Sequence, residues 1–128
     1  MKILLDTHII IWFLEDSKRL KSYYIDLIAE PSNVIYFSPV SIAEMAILAS
    51  KNKLKYPEDI VKICLDEGFE ELVLSSKHSI LLKDLPLIHH DPFDRLLLVQ
   101  AKSEIMYLLT EDCIFTFYDI NLIKKFPK

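Results

Sequence analysis

One glycine stands among 128 residues. That scarcity, with a mean hydropathy of +0.24, excludes collagen-like, linker-rich and disordered chains. Cysteine is almost as rare. Cys64 and Cys113 show no C-x-x-C spacing; they form no disulfide framework and read as two buried thiols in a reducing cytoplasm. Long apolar runs are missing as well. The best, residues 9–14, has six residues, against roughly 20 for a membrane span. Asp6 and His8 interrupt the apolar opening, and no small-residue cleavage site follows, so no secretory signal is expected. Excess positive charge is also lacking, since 15 basic and 19 acidic side chains leave a formal charge of −4. That balance argues against a domain that grips nucleic acid by bulk positive charge. It leaves open an enzyme that cuts nucleic acid with bound cations, because these change the local field.

What is present is apolar: 52% of residues are hydrophobic, enough for one core, and a single domain over residues 1–128 is expected. Five nearly continuous apolar runs, at residues 2–5, 34–37, 71–74, 105–109 and 114–117, predict strands of a sheet covered on both faces. Between them lie helical patterns. Leu20, Tyr23, Tyr24, Leu27 and Ile28 share one helical face that Pro31 terminates. Ser38-Pro39 reads as N-cap and first residue of a helix to about Ser50. Pro57 opens another, with Ile60, Val61, Cys64 and Leu65 inward and Gly68 as its stop. Asp91-Pro92 repeats the cap-plus-proline start for a helix through about Ser103. The aromatics Trp12, Phe13, Tyr23 and Tyr24 read as core. Strands alternating with helices predict a three-layer α/β/α fold around a parallel sheet of four to five strands.

Four acids fall near the carboxyl ends of these strands. Asp6 follows the first, Glu44 lies in the helix after the second, Asp94 sits in the first turn after Asp91-Pro92, and Asp112 closely follows the fourth. Open α/β sheets build their sites at that edge. Each acid alone has a structural explanation: Asp91 as helix cap, Asp94 completing a capping box, Asp6 in a turn before a helix capped by Thr7, and Asp112 in a loop. Glu44, between apolar neighbours, resists this treatment because unpaired buried glutamate is rare. Converging carboxylates repel one another unless a cation neutralises them. Hard oxygen ligands suit Mg²⁺ or Mn²⁺, and phosphodiester hydrolysis is the natural reaction for that equipment. His89-His90 lacks a second His or Cys group at zinc-site spacing and reads as a hydrogen-bonding element. His8 is a candidate pocket residue beside Asp6. Lys51, Lys53 and Lys55 form a modest basic cluster.

At these residues the sequence resembles the PIN-domain family, in particular its VapC-like toxin ribonucleases. Leu4-Leu5-Asp6-Thr7-His8 is similar to the family's opening L-D-T-H/N, and residues 38–44 to its S-x-x-S-x-x-E. His89-His90-Asp91-Pro92-Phe93-Asp94-Arg95 resembles the H-x-D-P-F-D-R block of one subgroup, and Thr110-Glu111-Asp112 its closing T-x-D. The resemblance implies a PIN-like fold and a Mg²⁺ or Mn²⁺ quartet of Asp6, Glu44, Asp94 and Asp112. It adds Thr7 and Thr110 as pocket hydroxyls, Asp91 as a cap or outer group, and Arg95 as a phosphate or structural contact. It further implies a cytoplasmic endoribonuclease toxin, homodimeric, restrained by a small antitoxin protein, without direct DNA binding by this chain alone. The sequence departs from relatives at Ala43, Leu48 and Asn52, where they commonly carry Trp, Lys and Gly. Three other readings compete. They are a PIN fold without nuclease activity that serves as a binding module, a housekeeping RNA-processing nuclease, and a haloacid-dehalogenase-type phosphatase. The last needs an acid where His8 stands.

Overall fold

The apolar opening of the chain becomes its central strand. β1 (Lys2–Leu5) buries Ile3, Leu4 and Leu5 completely, so both its faces must be covered. In the computed structural model, which describes residues 1–123, it is flanked by β2 (Val34–Phe37) and β4 (Tyr107–Leu109). The short edge strands β3 (Glu70–Glu71) and β5 (Leu122–Ile123) complete a five-stranded sheet of order β3-β2-β1-β4-β5, with every pairing parallel. The chain winds outward from β1 through β2 to β3 and then returns to lay β4 against β1. The order therefore switches between β1 and β4, where open α/β sheets form their crevice.

Alternation along β1 divides the core in two. Ile3 and Leu5 join Ile35, Phe37 and Leu109 under α1 (Thr7–Leu14), α2 (Ser22–Ala29) and α4 (Ile60–Asp66). On the opposite face Leu4 and Leu108 meet Leu97, Leu98 and Ala101 of α6 (Pro92–Glu104). The three-layer α/β/α expectation is therefore met. α3 (Pro39–Ser50) contributes Met45 to the first layer and Val40 to the second. Its start follows the sequence signal, since Ser38 Oγ accepts from Val40 N–H at 3.0 Å and Pro39 needs no donor partner. α5 (Ser76–Ser79) and a 3₁₀ turn (Ile80–Asp84) lead back toward α6. No helix among the described residues is long and apolar enough to cross a membrane.

Helix ends explain several boundaries. Gly68, at φ 89°, stops α4 as expected, and Asn52 adopts φ 55° just past α3. Asparagine tolerates this left-handed conformation, which accounts for its standing where relatives carry glycine. Ile105 is the C-cap of α6 at φ 54°, so the strand expected from residue 105 begins only at Tyr107. The strand expected at 71–74 pairs only through Glu70–Glu71, although Leu72 N–H still reaches Phe37 O at 2.8 Å.

The strand expected at 114–117 is instead a 3₁₀ turn, Cys113–Phe117. Asp112 Oδ1 accepts from Ile114 N–H at 3.0 Å and starts the turn, and β5 supplies the fifth strand. Cys113 is exposed rather than buried, whereas Cys64 is buried and its thiol is pushed up to about 11 by loss of solvent. Val61 and Leu65 are exposed because the seven-residue α4 buries only the stripe through Ile60 and Cys64. Of the aromatics expected in the core, only Tyr24 is fully buried. Trp12 and Phe13 are half-buried and Tyr23 is exposed.

A β-branched residue in the left-handed region is strained. Ile105 is also 80% exposed, so little packing is at stake there. Ile105→Gly is expected to stabilise the protein by about 0.5–1 kcal/mol, a rise of a few degrees in Tm. Thermal unfolding followed by circular dichroism reads this directly, and an unchanged or lower Tm refutes it.

Candidate active site

The crevice between the carboxyl ends of β1 and β4 is where two buried polar residues meet. Asp6, only 3% exposed, follows β1, and Thr110, fully buried, follows β4. Asp6 N–H extends the strand pairing to Leu109 O at 3.0 Å. Thr110 Oγ1 donates to Asp6 Oδ2 at 2.6 Å and accepts from Asp112 N–H at 3.0 Å. One hydroxyl thus links the first acid to the loop bearing the fourth. Asp6 occupies the N-cap position of α1 without bonding a helix N–H through its side chain, so its carboxylate is left for the crevice. Thr7 is the first helical residue rather than the cap. Its hydroxyl lies 2.9 Å from Ser41 Oγ and ties α1 to the first turn of α3. Glu44 is one turn further along α3 and half-buried.

Asp91 is the cap that the sequence suggested. Its Oδ1 accepts from Phe93 N–H at 2.8 Å and Asp94 N–H at 3.2 Å. Asp94, in the first turn of α6, turns a 14%-exposed side chain toward the other acids. His89 lies between two of them, with Nε2 at 2.9 Å from Asp94 Oδ2 and 3.1 Å from Asp112 Oδ2. Its Nδ1 accepts from Asp91 N–H at 3.2 Å, which assigns the ring proton to Nε2. The imidazole then donates to Asp112 Oδ2, with Asp94 Oδ2 close beside the same nitrogen. The sequence marks His89 only as a hydrogen-bonding element; its spacing from Asp91 and Asp94 carries no sign that one ring would lie between the first turn of α6 and the loop after β4.

Two residues hold the His89 loop in place. Tyr118 Oη accepts from His89 N–H at 2.6 Å and Ile88 N–H at 3.1 Å, and donates to Pro86 O at 2.8 Å. Arg95 donates to the carbonyls of Pro86 at 3.0 Å, His89 at 3.2 Å and Leu85 at 3.1 Å. Of the two roles left open for Arg95, the structural one is observed, because its guanidinium fork is occupied by backbone carbonyls. Lys51, Lys53 and Lys55 lie beyond the C-terminal end of α3, about 10 Å along the helix from Glu44 at 1.5 Å per residue, and do not border the acids. His8 does, lining a cleft with Asp6, Trp12, Glu111 and Asp112.

The electrostatics are those of crowded anions. Burial raises the Asp94 carboxyl to about 8, and repulsion from Asp6, Asp91, Glu44 and Asp112 adds to it. Asp6 is raised chiefly by burial, partly offset by the Thr110 hydrogen bond and by His8. Glu44 is raised for the same leading reason, with the Thr7 hydroxyl opposing and Asp91 and Asp6 reinforcing. Asp6 Oδ1 and Glu44 Oε1 are buried without a hydrogen-bond partner among the described residues. Ligand atoms of His89, Asp94 and Asp112 lie within 4.8 Å of one another. The donors are mainly carboxylate oxygens with one imidazole beside them, a set that fits a divalent cation.

No curated protein matches the chain. Among solved structures, VapBC2 from Rickettsia felis bound to a promoter DNA fragment contains a chain 24% identical, with TM-score 0.75, covering 96% of this chain and 98% of that one. A chain of FitAcB from Neisseria gonorrhoeae is 17% identical, with TM-score 0.65 and coverage of 95% and 96%. One in DNA-bound VapBC from Salmonella typhimurium is 17% identical, with TM-score 0.63 and coverage of 96% and 97%. At these identities the likeness establishes the fold. Residues 3–120 match the PIN domain, and with the acids gathered at the β1–β4 switch the chain belongs to the PIN domain family.

Proposed function

We propose that the chain is a Mg²⁺- or Mn²⁺-dependent endoribonuclease that hydrolyses RNA phosphodiester bonds, acting as the toxin of a type II toxin–antitoxin pair. The observation that carries this reading is the set of buried, mutually repelling carboxyls at the switch point, two of them with orphaned oxygens. Asp6, Glu44, Asp94 and Asp112 would hold the ion, which supplies Lewis acidity toward water and toward a phosphate oxygen. Thr110 orients Asp6, and the Thr7 hydroxyl faces Glu44. His89 keeps Asp94 and Asp112 at a fixed separation, and its loop is anchored by Arg95 and Tyr118 as described above.

A small antitoxin protein is the proposed partner, in keeping with the VapBC complexes whose chains share this fold. An apolar groove of 140 Å³ between α1, α3 and α4, lined by Ile11, Leu14, Met45, Leu54, Tyr56 and Ile63, suits an amphipathic segment of such a partner. DNA contact belongs to the antitoxin in this reading. The toxin acts in the cytoplasm as a homodimer.

Two measurements test the site. Wild-type protein is expected to cleave a panel of single-stranded and structured RNAs with Mg²⁺ or Mn²⁺ and not with EDTA. Asp94→Asn should lower the rate by roughly 10²–10³-fold, the scale for losing one preorganised charged group. Absence of cutting by folded, metal-loaded, partner-free protein across the panel counts against the nuclease reading.

The second measurement is stability against pH without metal. The folded carboxyl of Asp94 titrates at about 8 and the unfolded one at 3.8. Between these values the native state holds a proton that the unfolded state has lost, so this group's contribution turns unfavourable as pH rises. Asp94→Asn should therefore exceed wild type in Tm at pH 8, with the gap closing toward pH 5. Mg²⁺ should raise the wild-type Tm most at pH 8. A pH-independent gap would remove Asp94 from the acidic cluster.

A further inference from the structure

An acidic chain that cuts RNA needs a source of affinity other than bulk positive charge, and the cleft beside the acids contains one. Trp12 is the chain's one tryptophan. It stands one helical turn after His8, so the two rings share a face of α1, with centroids 6.1 Å apart and planes inclined at 54°. Both line a cleft of 260 Å³ whose other walls are Asp6, Glu111 and Asp112. One side of Trp12 packs on the core while the residue stays partly exposed. The indole is therefore held in place with surface open to the cleft.

The charges of the cleft point the same way. Its carboxylates repel phosphate, and Glu111 of the cleft already engages Lys21 at 3.4 Å. Stacking on an aromatic face does not depend on net charge, because every base has a π-face. It does require a base freed from its duplex partner. Resting on the nuclease reading above, we infer that Trp12, with His8 beside it, is a stacking platform for an unpaired base of the RNA strand adjoining the bond to be cut. The platform makes the enzyme select single-stranded over duplex RNA. Trp12 is a substrate-positioning residue, and the acids do not depend on it.

The single tryptophan makes the platform its own probe. Three ligands are titrated into wild-type protein, with Ca²⁺ in place of Mg²⁺ to keep strands intact: a short mixed-sequence single-stranded oligoribonucleotide, its duplex, and the same strand with abasic sites. The single strand should quench Trp12 fluorescence saturably, and the other two should not. In cleavage assays Trp12→Ala should raise KM roughly tenfold with kcat within about twofold, and Trp12→Phe should restore most of the loss. Equal quenching by all three ligands, or cleavage by Trp12→Ala with unchanged KM, overturns the platform. Should wild type cleave RNA with no strand quenching the indole, the platform falls and the nuclease stands. Should single strands alone quench while nothing is cut, the platform stands and the nuclease reading falls.

Discussion

Like charges forced together out of water are the constraint around which this molecule is built. A carboxylate removed from solvent has to be protonated, hydrogen-bonded or matched by a cation. Here Asp6, Glu44 and Asp94 are brought to one edge of a sheet whose central strand is too apolar to lie anywhere but the interior. The fold answers only part of the demand. Thr110 satisfies one oxygen of Asp6, and His89 satisfies one oxygen of Asp112 while lying 2.9 Å from one of Asp94. Oxygens of Asp6 and Glu44 remain unmatched among the described residues. Residual frustration of this kind, at the β1–β4 switch, is what a hard cation relieves.

Much of the surrounding hydrogen bonding serves to hold that arrangement. The His89 loop has no regular secondary structure, yet its backbone is held from two directions, by the Arg95 guanidinium and the Tyr118 hydroxyl. The pair approaches from α6 and from the segment after the 3₁₀ turn, two elements of the same core layer, so the loop is coupled to both. Beneath the site a buried chain runs from Ser38 to Gln100 at 2.6 Å and on to Leu72 O at 3.0 Å. It locks the start of α3 to α6 and so fixes Glu44 relative to Asp94. Rigid elements on three sides are the usual means of holding charges that repel.

The acidic character of the chain follows from the same economy. A site made of carboxylates needs a cation to meet phosphate, and basic side chains close by would compete for those carboxylates. The lysine cluster lies at the far end of α3, and the arginine nearest the acids is engaged with carbonyls. Aromatic surface beside the acids supplies contact without altering the field that the cation needs.

Local chemistry was legible in the sequence wherever one residue type determines the backbone. Ser38-Pro39 and Asp91-Pro92 announced two helix starts, Gly68 announced a stop, and the apolar runs at residues 2–5 and 34–37 announced two central strands. The acids after those elements could be read as converging because a parallel sheet places its strand ends on one edge. Edge elements were harder, since two-residue strands carry too little periodicity to register. Residues 114–117 looked apolar enough for a strand until the Asp112 side chain claimed the N–H that begins a turn. Long-range pairings were invisible for a simpler reason: nothing in a one-dimensional pattern says that His89 will reach Asp112, that Arg95 will face three carbonyls, or that Trp12 will border the acids. Those depend on how layers pack around β1 and β4, which decides what each side chain finds at hydrogen-bond distance. The sequence alone determined the kinds of groups present and the elements that carry them; tertiary structure decided their partners, because burial and repulsion act only between groups already brought together.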